Sequence, residues 1–211
     1  MSMLTIDLKL NLSGEITVRF EAPPGITALT GPSGIGKTTT LLTSAGATPP
    51  KRGKIVLGDE LWCETAAAIH LPMERRSVGM VFQSAALFPH LTVEENVMFG
   101  MLRSLPHHER RTRAQKWLTT FRADHLATRS AASLSGGESQ RVAAARAFAR
   151  EPRVLLLDEP FSALQRELRE ELASVTNDIV HASGQIAIYV THDETEAANI
   201  GDRNVALGSA P

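Results

Sequence analysis

Residues 31–39 have the sequence GPSGIGKTT, which matches the pattern G-x-x-x-x-G-K-[ST] of the phosphate-binding P-loop. Strand-like residues (26–29) precede the motif and a helix-prone run (38–45) follows it, as a P-loop requires. Glycines let the backbone wrap around an anion, and the N–H groups at the start of the helix point towards it. The alternative, a glycine-rich surface turn without function, leaves the combination of strand, lysine and threonine unexplained.

Two side chains of this motif carry the predicted chemistry. Lys37 is expected to reach the β- and γ-phosphates of a nucleotide, and the hydroxyl of Thr38 to bind Mg²⁺. The predicted nucleotide-binding residues of the loop are Gly31, Pro32, Ser33, Gly34, Ile35, Gly36, Lys37, Thr38 and Thr39.

The composition is that of an ordinary globular protein. Of the 211 residues, 43% are hydrophobic and 21% charged, so a sizeable core needs no disulfides. The formal net charge of −1 argues against a general nucleic-acid binder, which is usually strongly basic, but it is compatible with a local basic patch. Cys63 is the only cysteine, which excludes an intramolecular disulfide and suits a reducing cytosol. The N-terminal residues lack the apolar core of a signal peptide, and no apolar run reaches the roughly 18 residues of a membrane span.

Strand-like and helix-like segments alternate along the chain, which predicts an α/β fold with a mostly parallel sheet. Alternating apolar residues over 3–20, with a turn at Ser13-Gly14, predict an N-terminal antiparallel hairpin. Residues 59–76 show no regular pattern, and only a brief tail is expected after Arg203. The other expected elements are strands at 54–57, 78–82, 154–157 and 186–190, helices that begin at Thr92 and Ser135, a long helix that ends at Gly184, and a short helix at 194–199.

Polar residues follow four of the predicted strands at their carboxyl ends, where ligands bind in open α/β sheets. They are the P-loop, Gln83, the pair Asp158-Glu159 and His192. Asp158 is expected to bind Mg²⁺, because a hard cation that bridges phosphates needs a nearby carboxylate. Glu159 is then placed to orient or deprotonate an attacking water molecule.

Each of these residues also has a purely structural interpretation. An Asp-Glu pair can complement the dipole at a helix N-terminus, and a histidine can be a satisfied buried side chain. The P-loop upstream favours a functional role. We therefore predict that His192 contacts the γ-phosphate or the attacking water, and that Gln83 ligates Mg²⁺ and senses the nucleotide.

The sequence LSGGESQ, at residues 134–140, resembles the signature of ATP-binding-cassette (ABC) ATPases. The order of P-loop, Gln83, signature, Asp158-Glu159 and His192 is also similar to that family along nearly the whole chain. By itself the segment predicts only a capped helix start. The resemblance implies ATP and Mg²⁺ as ligands and ATP hydrolysis as the activity. It also implies a homodimer or paired cassette in which the signature of one copy, through Ser135, Gly136, Gly137 and Glu138, covers ATP held by the P-loop of the other.

The resemblance implies a single ABC ATPase domain over residues 1–211. Its parts would be a P-loop core, an N-terminal antiparallel β subdomain and a helical subdomain, at about 84–150, that carries the signature. A C-terminal regulatory domain, which many relatives have, is not expected. The basic residues of the segment 103–122 favour a solvated helix surface over an anion-binding face, because Glu109 interrupts them.

Two positions depart from the family pattern. Gln165 follows Ser162-Ala163-Leu164 where the family usually has Asp, which puts in doubt the contacts of this loop across a dimer. Residues 8–11 contain no aromatic side chain to stack on adenine. Phe20 is expected in the core instead, because it alternates with Val18.

Residues 84–97, SAALFPHLTVEENV, look like the same region of bacterial importer cassettes. That likeness implies that integral membrane permease subunits contact residues 84–101, that a substrate-binding protein takes part indirectly, and that the chain lies at the cytoplasmic face of the inner membrane. Residues 69–79 and 25–28 look most like molybdate-type importer ATPases, although iron, sulfate and polyamine importers have similar cassettes.

A soluble ABC ATPase of DNA repair or translation is the alternative. Repair types usually carry a long coiled-coil insertion and translation types two cassettes in one chain, and this sequence shows neither. Exporters often fuse the cassette to transmembrane helices, which are also absent from this sequence. The importer is therefore favoured, with no nucleic acid among its partners.

Overall fold

The computed structural model describes residues 2–11, 14–101 and 104–208. The chain divides into two compact units. The first comprises Met1–Val78, Arg153–Asp158 and Asn177–Pro211. The second comprises Gly79–Pro152 and Glu159–Thr176.

The order of elements is that of an α/β protein, as predicted. The strands are β1 (Leu4–Asn11), β2 (Glu15–Ala22), β3 (Gly25–Thr30), β4 (Arg52–Leu57), β5 (Glu60–Glu64), β6 (Ile69–His70), β7 (Val78–Val81), β8 (Val154–Asp158), β9 (Ile186–Val190) and β10 (Arg203–Ala206). The α-helices are α1 (Lys37–Ala45), α2 (Val93–Phe99), α3 (His107–Thr120), α4 (Gly136–Ala149), α5 (Arg166–Ser183) and α6 (Glu194–Ile200). Among the described residues, no helix is both long and apolar enough to cross a membrane.

The first unit contains an antiparallel sheet with the strand order β2-β1-β4-β5-β6. Apolar residues alternate along β1, so that Leu4, Ile6 and Leu8 all face the core. β1 pairs with β2 from Leu4↔Ala22 to Asn11↔Glu15, which confirms the predicted hairpin. Ser13, in the predicted turn, lies outside the described residues. Phe20 is buried, as expected.

The prediction that residues 59–76 are irregular is wrong, because β5 and β6 extend this sheet. β5 pairs antiparallel with β4 across the two-residue turn Gly58-Asp59. The register shifts between Ile55 and Val56, and the neighbours Trp62 and Cys63 are both buried. That shift removes the alternation of apolar residues by which a strand is recognised. The Gly-Asp dipeptide after an apolar run was the available signal for a hairpin.

Four strands of the parallel sheet belong to the first unit, in the order β10-β3-β9-β8. All residues of β8 and β9 are buried, which explains their continuous apolar sequences. The expected tail after Arg203 is instead the strand β10, which pairs with β3 from Arg203↔Thr27. β10 is short and mostly exposed, so no hydrophobic pattern marked it. Because these strands are parallel, the P-loop, Asp158 and Thr191 all follow carboxyl ends at one edge of the sheet.

A buried arginine fixes the far end of α1, the helix that follows the P-loop. Arg76 is 0% exposed, and its Nη1 donates to the carbonyls of Thr43 and Ser44 in the last turn of α1, at 2.9 and 2.8 Å. Its Nη2 and Nε donate to the carbonyls of Trp62 and Leu71 at 3.1 and 2.8 Å. A cation at a helix C-terminus is favourable because it opposes the negative end of the helix dipole. Arg76 therefore ties α1 to residues 62 and 71 beside it.

Aromatic side chains form the centre of the second unit. The ring centroids of Phe121 and Phe148 lie 5.2 Å apart, and those of Trp117 and Phe148 lie 5.6 Å apart. Phe161 approaches Phe121 at 6.4 Å. These contacts pack α3 and α4 together, at distances typical of favourable aromatic pairs.

Both predicted capping boxes of the second unit are confirmed. Thr92 caps α2 with Glu95, and Ser135 caps α4 with Glu138. In each box the hydroxyl accepts a backbone N–H and the carboxylate accepts the N–H of the capping residue, which satisfies two donors that the helix leaves open.

The basic residues of α3 lie on a solvated surface, as favoured from the sequence. Arg111 pairs with Glu94 at 3.1 Å and Arg113 with Glu109 at 2.7 Å. The buried residues of α3 are Ala114 and Leu118. Arg103, which was counted in the basic run, lies outside the described residues.

Candidate functional site

The P-loop connects β3 to α1 through residues 31–36. Gly36 caps α1 with φ 103° and Gly34 has φ 79°, both in the left-handed region that residues with a Cβ rarely adopt. A Cβ on Gly34 would meet no atom within 4 Å, so the space beside this backbone is open. An anion can therefore approach the N–H groups at the start of α1.

Lys37 places a positive charge beneath this loop. The residue is 8% exposed, and its Nζ donates to the carbonyl oxygens of Gly31 at 2.7 Å and Pro32 at 3.0 Å. Both acceptors belong to the loop itself. The ammonium is thus held beside the open space where the loop would receive phosphates, which fits the predicted role of Lys37.

Thr38 and Asp158 meet in the first unit. The hydroxyl of Thr38 donates to Oδ2 of Asp158 at 2.8 Å. Asp158 is the last residue of β8 and is 4% exposed. A hydroxyl and a carboxylate are hard oxygen donors of the kind that Mg²⁺ takes in addition to phosphate oxygens. Two of the three side chains predicted as magnesium ligands, Thr38 and Asp158, therefore lie together and fit the ion chemically.

His192 lies in the turn between β9 and α6, in the first unit. Thr191, which is buried, donates its hydroxyl to Glu196 at 2.6 Å, and Tyr189 donates to the other oxygen of Glu196 at 2.9 Å. The side chain of Asp193 accepts the N–H of Glu196 and caps α6. These bonds fix the turn, while the side chain of His192 is exposed. Sequence reasoning missed Glu196, since a Glu in the first turn of a short helix carries no specific signal.

Gln83 and Glu159 meet in the second unit. Nε2 of Gln83 donates to Oε2 of Glu159 at 3.1 Å. Glu159 has φ 46°, a left-handed conformation that is costly for a residue with a side chain. Such a conformation persists only where the surroundings enforce it, and it is common at functional sites.

The signature turn is an ordered helix start. The N–H and hydroxyl of Ser135 donate to Oε2 of Glu138 at 2.8 and 2.9 Å, and these bonds hold the pKa of the Glu138 carboxyl below its ordinary value. Arg129 pairs with Oε1 of Glu138 at 3.0 Å. A Cβ on Gly137 would lie 2.8 Å from Cδ2 of Leu164 and 3.3 Å from the carbonyl oxygen of Ala163, so a larger residue at that position would displace the Leu164 side chain. Ser135 and Gly136 are exposed.

Gln140 has more polar contacts than the sequence suggested. It is 3% exposed and bonds to residues of the segments that carry Gln83, Glu159 and Ser162. The sequence placed Gln140 inside a helix, where a glutamine is ordinary. The available signal was a polar residue on the otherwise apolar buried face of α4.

Residues 84–101 present an aromatic pair. The rings of Phe88 and Phe99 lie 4.3 Å apart, and Phe99 is 53% exposed. Arg146 donates to the carbonyls of Ala85 and Ala86 at 3.0 and 2.9 Å and lies 5.5 Å from the Phe88 ring. Leu87 and Phe88 are half-buried, so only part of this segment is available to a partner.

Comparison with known proteins gives a consistent family assignment. The family described as "ABC transporter" matches residues 17–162, more than half of the chain. The chain is 43% identical over 176 residues to the trehalose/maltose import ATP-binding protein MalK of Thermococcus litoralis, covering 83% of this chain and 47% of that protein. It is 45% identical over 185 residues to the sulfate/thiosulfate import ATP-binding protein CysA of Mesorhizobium japonicum, covering 85% and 52%. The chain thus spans about half the length of these curated relatives.

A solved structure shows the same fold. The dimeric structure of MJ0796, a bacterial ABC transporter cassette, has a TM-score of 0.83 and 28% identity, and the match covers 98% of this chain and 94% of that one. A second structure of MJ0796, a post-hydrolysis state bound to ADP and Pi, has a TM-score of 0.80. The α/β fold with its antiparallel and parallel sheets is therefore that of an ABC cassette, as predicted.

The Ser135–Glu138 capping box should make stability depend on pH. Because the folded-state pKa of Glu138 is lowered, its contribution is present above its unfolded value near 4.5 and is lost as pH falls through the folded value. We expect Glu138→Gln to lower the free energy of unfolding at about pH 6 and to have a smaller effect at about pH 3. Urea unfolding of both proteins measures the difference.

Ser139→Ala, one residue outside the box, is the matched control and should have the same effect at both pH values. If Glu138→Gln destabilises the protein equally at both, the carboxylate does not cap the helix as described.

Proposed function

Because the chain belongs to the ABC transporter family, we propose that it is the ATP-hydrolysing subunit of a bacterial importer. The observation that carries the proposal is the Thr38–Asp158 hydrogen bond of 2.8 Å next to the buried ammonium of Lys37. This arrangement places two hard oxygen donors, which suit Mg²⁺, beside a loop that can bind an anion. Both relatives named above are import ATP-binding proteins, which supports coupling to import.

In this proposal the P-loop residues 31–39 bind the phosphates of ATP. The N–H groups of the loop point towards the phosphates, and Lys37 turns from the carbonyls of Gly31 and Pro32 to the β- and γ-phosphates. Thr38, Asp158 and Gln83 supply oxygen ligands for Mg²⁺. The ion, when bound, neutralises charge on the phosphate oxygens.

Glu159 acts as the general base. Its carboxylate accepts a proton from the attacking water, and it follows directly after Asp158 in the chain. Gln83 supports this role because its Nε2 donates to Oε2 of Glu159 and so orients the carboxylate. His192, exposed in a turn that Glu196 fixes, contacts the γ-phosphate or the attacking water.

Two copies, or a pair of cassettes, complete each site in this proposal. Gly137 packs against Leu164 within its own unit, whereas Ser135 and Gly136 are exposed at the start of α4. This helix start can bind the γ-phosphate of ATP held by the partner, with Glu138 holding the turn in shape. The dimeric structure of MJ0796 supports the arrangement. Gln165 is exposed at the start of α5. Because the family usually has Asp at this position, we expect the contacts of this loop across the dimer interface to differ from those of the family.

Permease subunits contact residues 84–101, where Phe99 exposes an apolar surface beside Phe88. This contact would hold the chain at the cytoplasmic face of the inner membrane, with a substrate-binding protein taking part indirectly. The organisation as one cassette over residues 1–211, with a helical subdomain at about 84–150, belongs to the same proposal.

For the cargo we propose molybdate or a similar oxyanion, on the likeness of residues 69–79 and 25–28. The CysA relative is named for the import of sulfate and thiosulfate, which are both oxyanions. The MalK relative is named for the import of trehalose and maltose. The relatives support import in general, and the cargo rests on the sequence likeness alone.

Glu159→Gln should lower ATP turnover by about a hundredfold or more, because the amide cannot accept the proton. Binding of ATP should persist, since Glu159 is not among the residues that hold the phosphates or Mg²⁺ in this proposal, and its amide oxygen can still accept the hydrogen bond from Gln83. Phosphate release measures turnover, and calorimetry measures binding. Glu167→Gln, an exposed glutamate of α5, is the control and should not change turnover. Turnover of Glu159→Gln within twofold of the wild type would contradict the assignment.

Phe99→Ser should weaken co-purification of the native protein with an integral membrane subunit, because it removes exposed apolar area from the proposed contact. Mass spectrometry of the detergent-solubilised complex, with tagged wild type and variant, measures the yield of that subunit. Ile69→Ser, an exposed apolar residue in the first unit, is the control. If the wild type instead brings down DNA or ribosomes and no membrane subunit, the importer proposal is wrong and the soluble class is favoured.

A further inference from the structure

Gln140 is a buried polar side chain on the signature helix α4. It lies two residues after Glu138, which closes the capping box. At 3% exposure its amide is almost completely removed from water, so its hydrogen bonds must come from protein atoms.

Two short hydrogen bonds orient the amide of Gln140. Its Oε1 accepts the N–H of Ala163 at 2.9 Å, and its Nε2 donates to the hydroxyl of Ser162 at 3.1 Å. Two longer contacts, at the limit of hydrogen bonding, join Nε2 to the carbonyl oxygens of Glu159 at 3.4 Å and Gln83 at 3.5 Å. One side chain therefore touches the residues after β7 and the loop after β8.

These contacts surround the backbone of Glu159. Its left-handed φ of 46° needs external support, since a residue with a Cβ avoids that region. The carbonyl of Glu159 accepts the hydroxyl of Ser162 at 3.1 Å, and Ser162 in turn accepts from Gln140. The direction of the Glu159 side chain follows from this backbone conformation. Gln140 thus acts on Glu159 directly and through Ser162.

A buried glutamine can also serve only to satisfy polar groups in a core. The partners of Gln140 argue for more than that. All four belong to the segments 83 and 159–163, which hold the carboxylate and its hydrogen-bond donor Gln83. The aromatic core of the same unit, at Phe121 and Phe148, contributes none of them.

We propose that Gln140 is a positioning residue, which holds Glu159 and the loop 162–163 in register with the signature turn at the start of α4. The inference rests on the proposed function, in which Glu159 is the general base. Gln140 touches no phosphate-binding residue of the P-loop segment 31–39 by any of these bonds, so its loss should affect turnover and not the binding of ATP.

Gln140→Met tests this inference with a side chain of similar length that forms none of these bonds. We expect kcat for ATP to fall by about tenfold to a hundredfold, and KM and the calorimetric affinity for ATP to stay within about threefold. Gln115→Met, on the exposed face of α3, is the matched control and should leave both constants unchanged. Urea unfolding of each variant gives the fraction that is folded under assay conditions.

Gln140→Glu adds a readout that a merely structural role would not move. Its carboxylate keeps the acceptor for Ala163 but loses the donor for Ser162 and Glu159, and protonation restores one donor. The activity of this variant relative to the wild type should therefore rise as pH falls from about 8 to about 6.

The outcomes separate the inference from the function on which it rests. A wild type without ATP turnover overturns both. If the wild type is active, three results for Gln140→Met overturn the inference alone. These are a kcat within twofold of the wild type, a change in KM only, or a loss of activity no larger than the loss of folded protein. The inference is also contradicted if the activity of Gln140→Glu relative to that of the wild type does not change with pH.

Discussion

The buried ammonium of Lys37 is the constraint on which the candidate site depends. It lies 2.7 Å from the Gly31 carbonyl and 3.0 Å from that of Pro32, in a nearly closed position under its own loop. Carbonyl dipoles compensate a buried charge less completely than an anion does, so a bound polyphosphate would lower the free energy of this arrangement. The rest of the unit holds the lysine in place, because β3 leads into the loop and Arg76 binds the last carbonyls of α1.

α4 has the corresponding role in the second unit. Its first residue is fixed by Ser135 and Glu138, and its second turn bonds through Gln140 to the backbone around Glu159. Further along, Arg146 donates to the carbonyls of Ala85 and Ala86, within the segment 84–101 that we propose for the permease. One helix thus contacts the signature turn, the backbone around the proposed general base and the proposed partner surface. A helix transmits a displacement of one end to the other because its backbone is rigid.

Much of the fold and the P-loop could be predicted because their signals are local. β8 and β9 are continuous apolar runs, and each capping box needs only four residues. β5 was missed because the register shift in its pairing with β4 breaks its alternation of apolar residues, and β10 because it is short and exposed. The contacts of Gln140 could not be predicted, since its partners lie between 19 and 57 residues away in the chain. Asp158 was predicted beside Thr38 and lies there, whereas the roles of Glu159, Gln83 and His192 stay predictions.

Calorimetric titration of Mg·ATP into the wild type and Lys37→Met tests the central claim most directly. Methionine is an unbranched side chain one heavy atom shorter than lysine, and it removes the charge and its hydrogen bonds. We expect the affinity for ATP to fall about a hundredfold, the loss of one to two charged hydrogen bonds. Lys51→Met, an exposed lysine that pairs with Glu15, should bind ATP like the wild type. Equal affinities of the wild type and Lys37→Met would contradict the claim that this buried ammonium holds the phosphates.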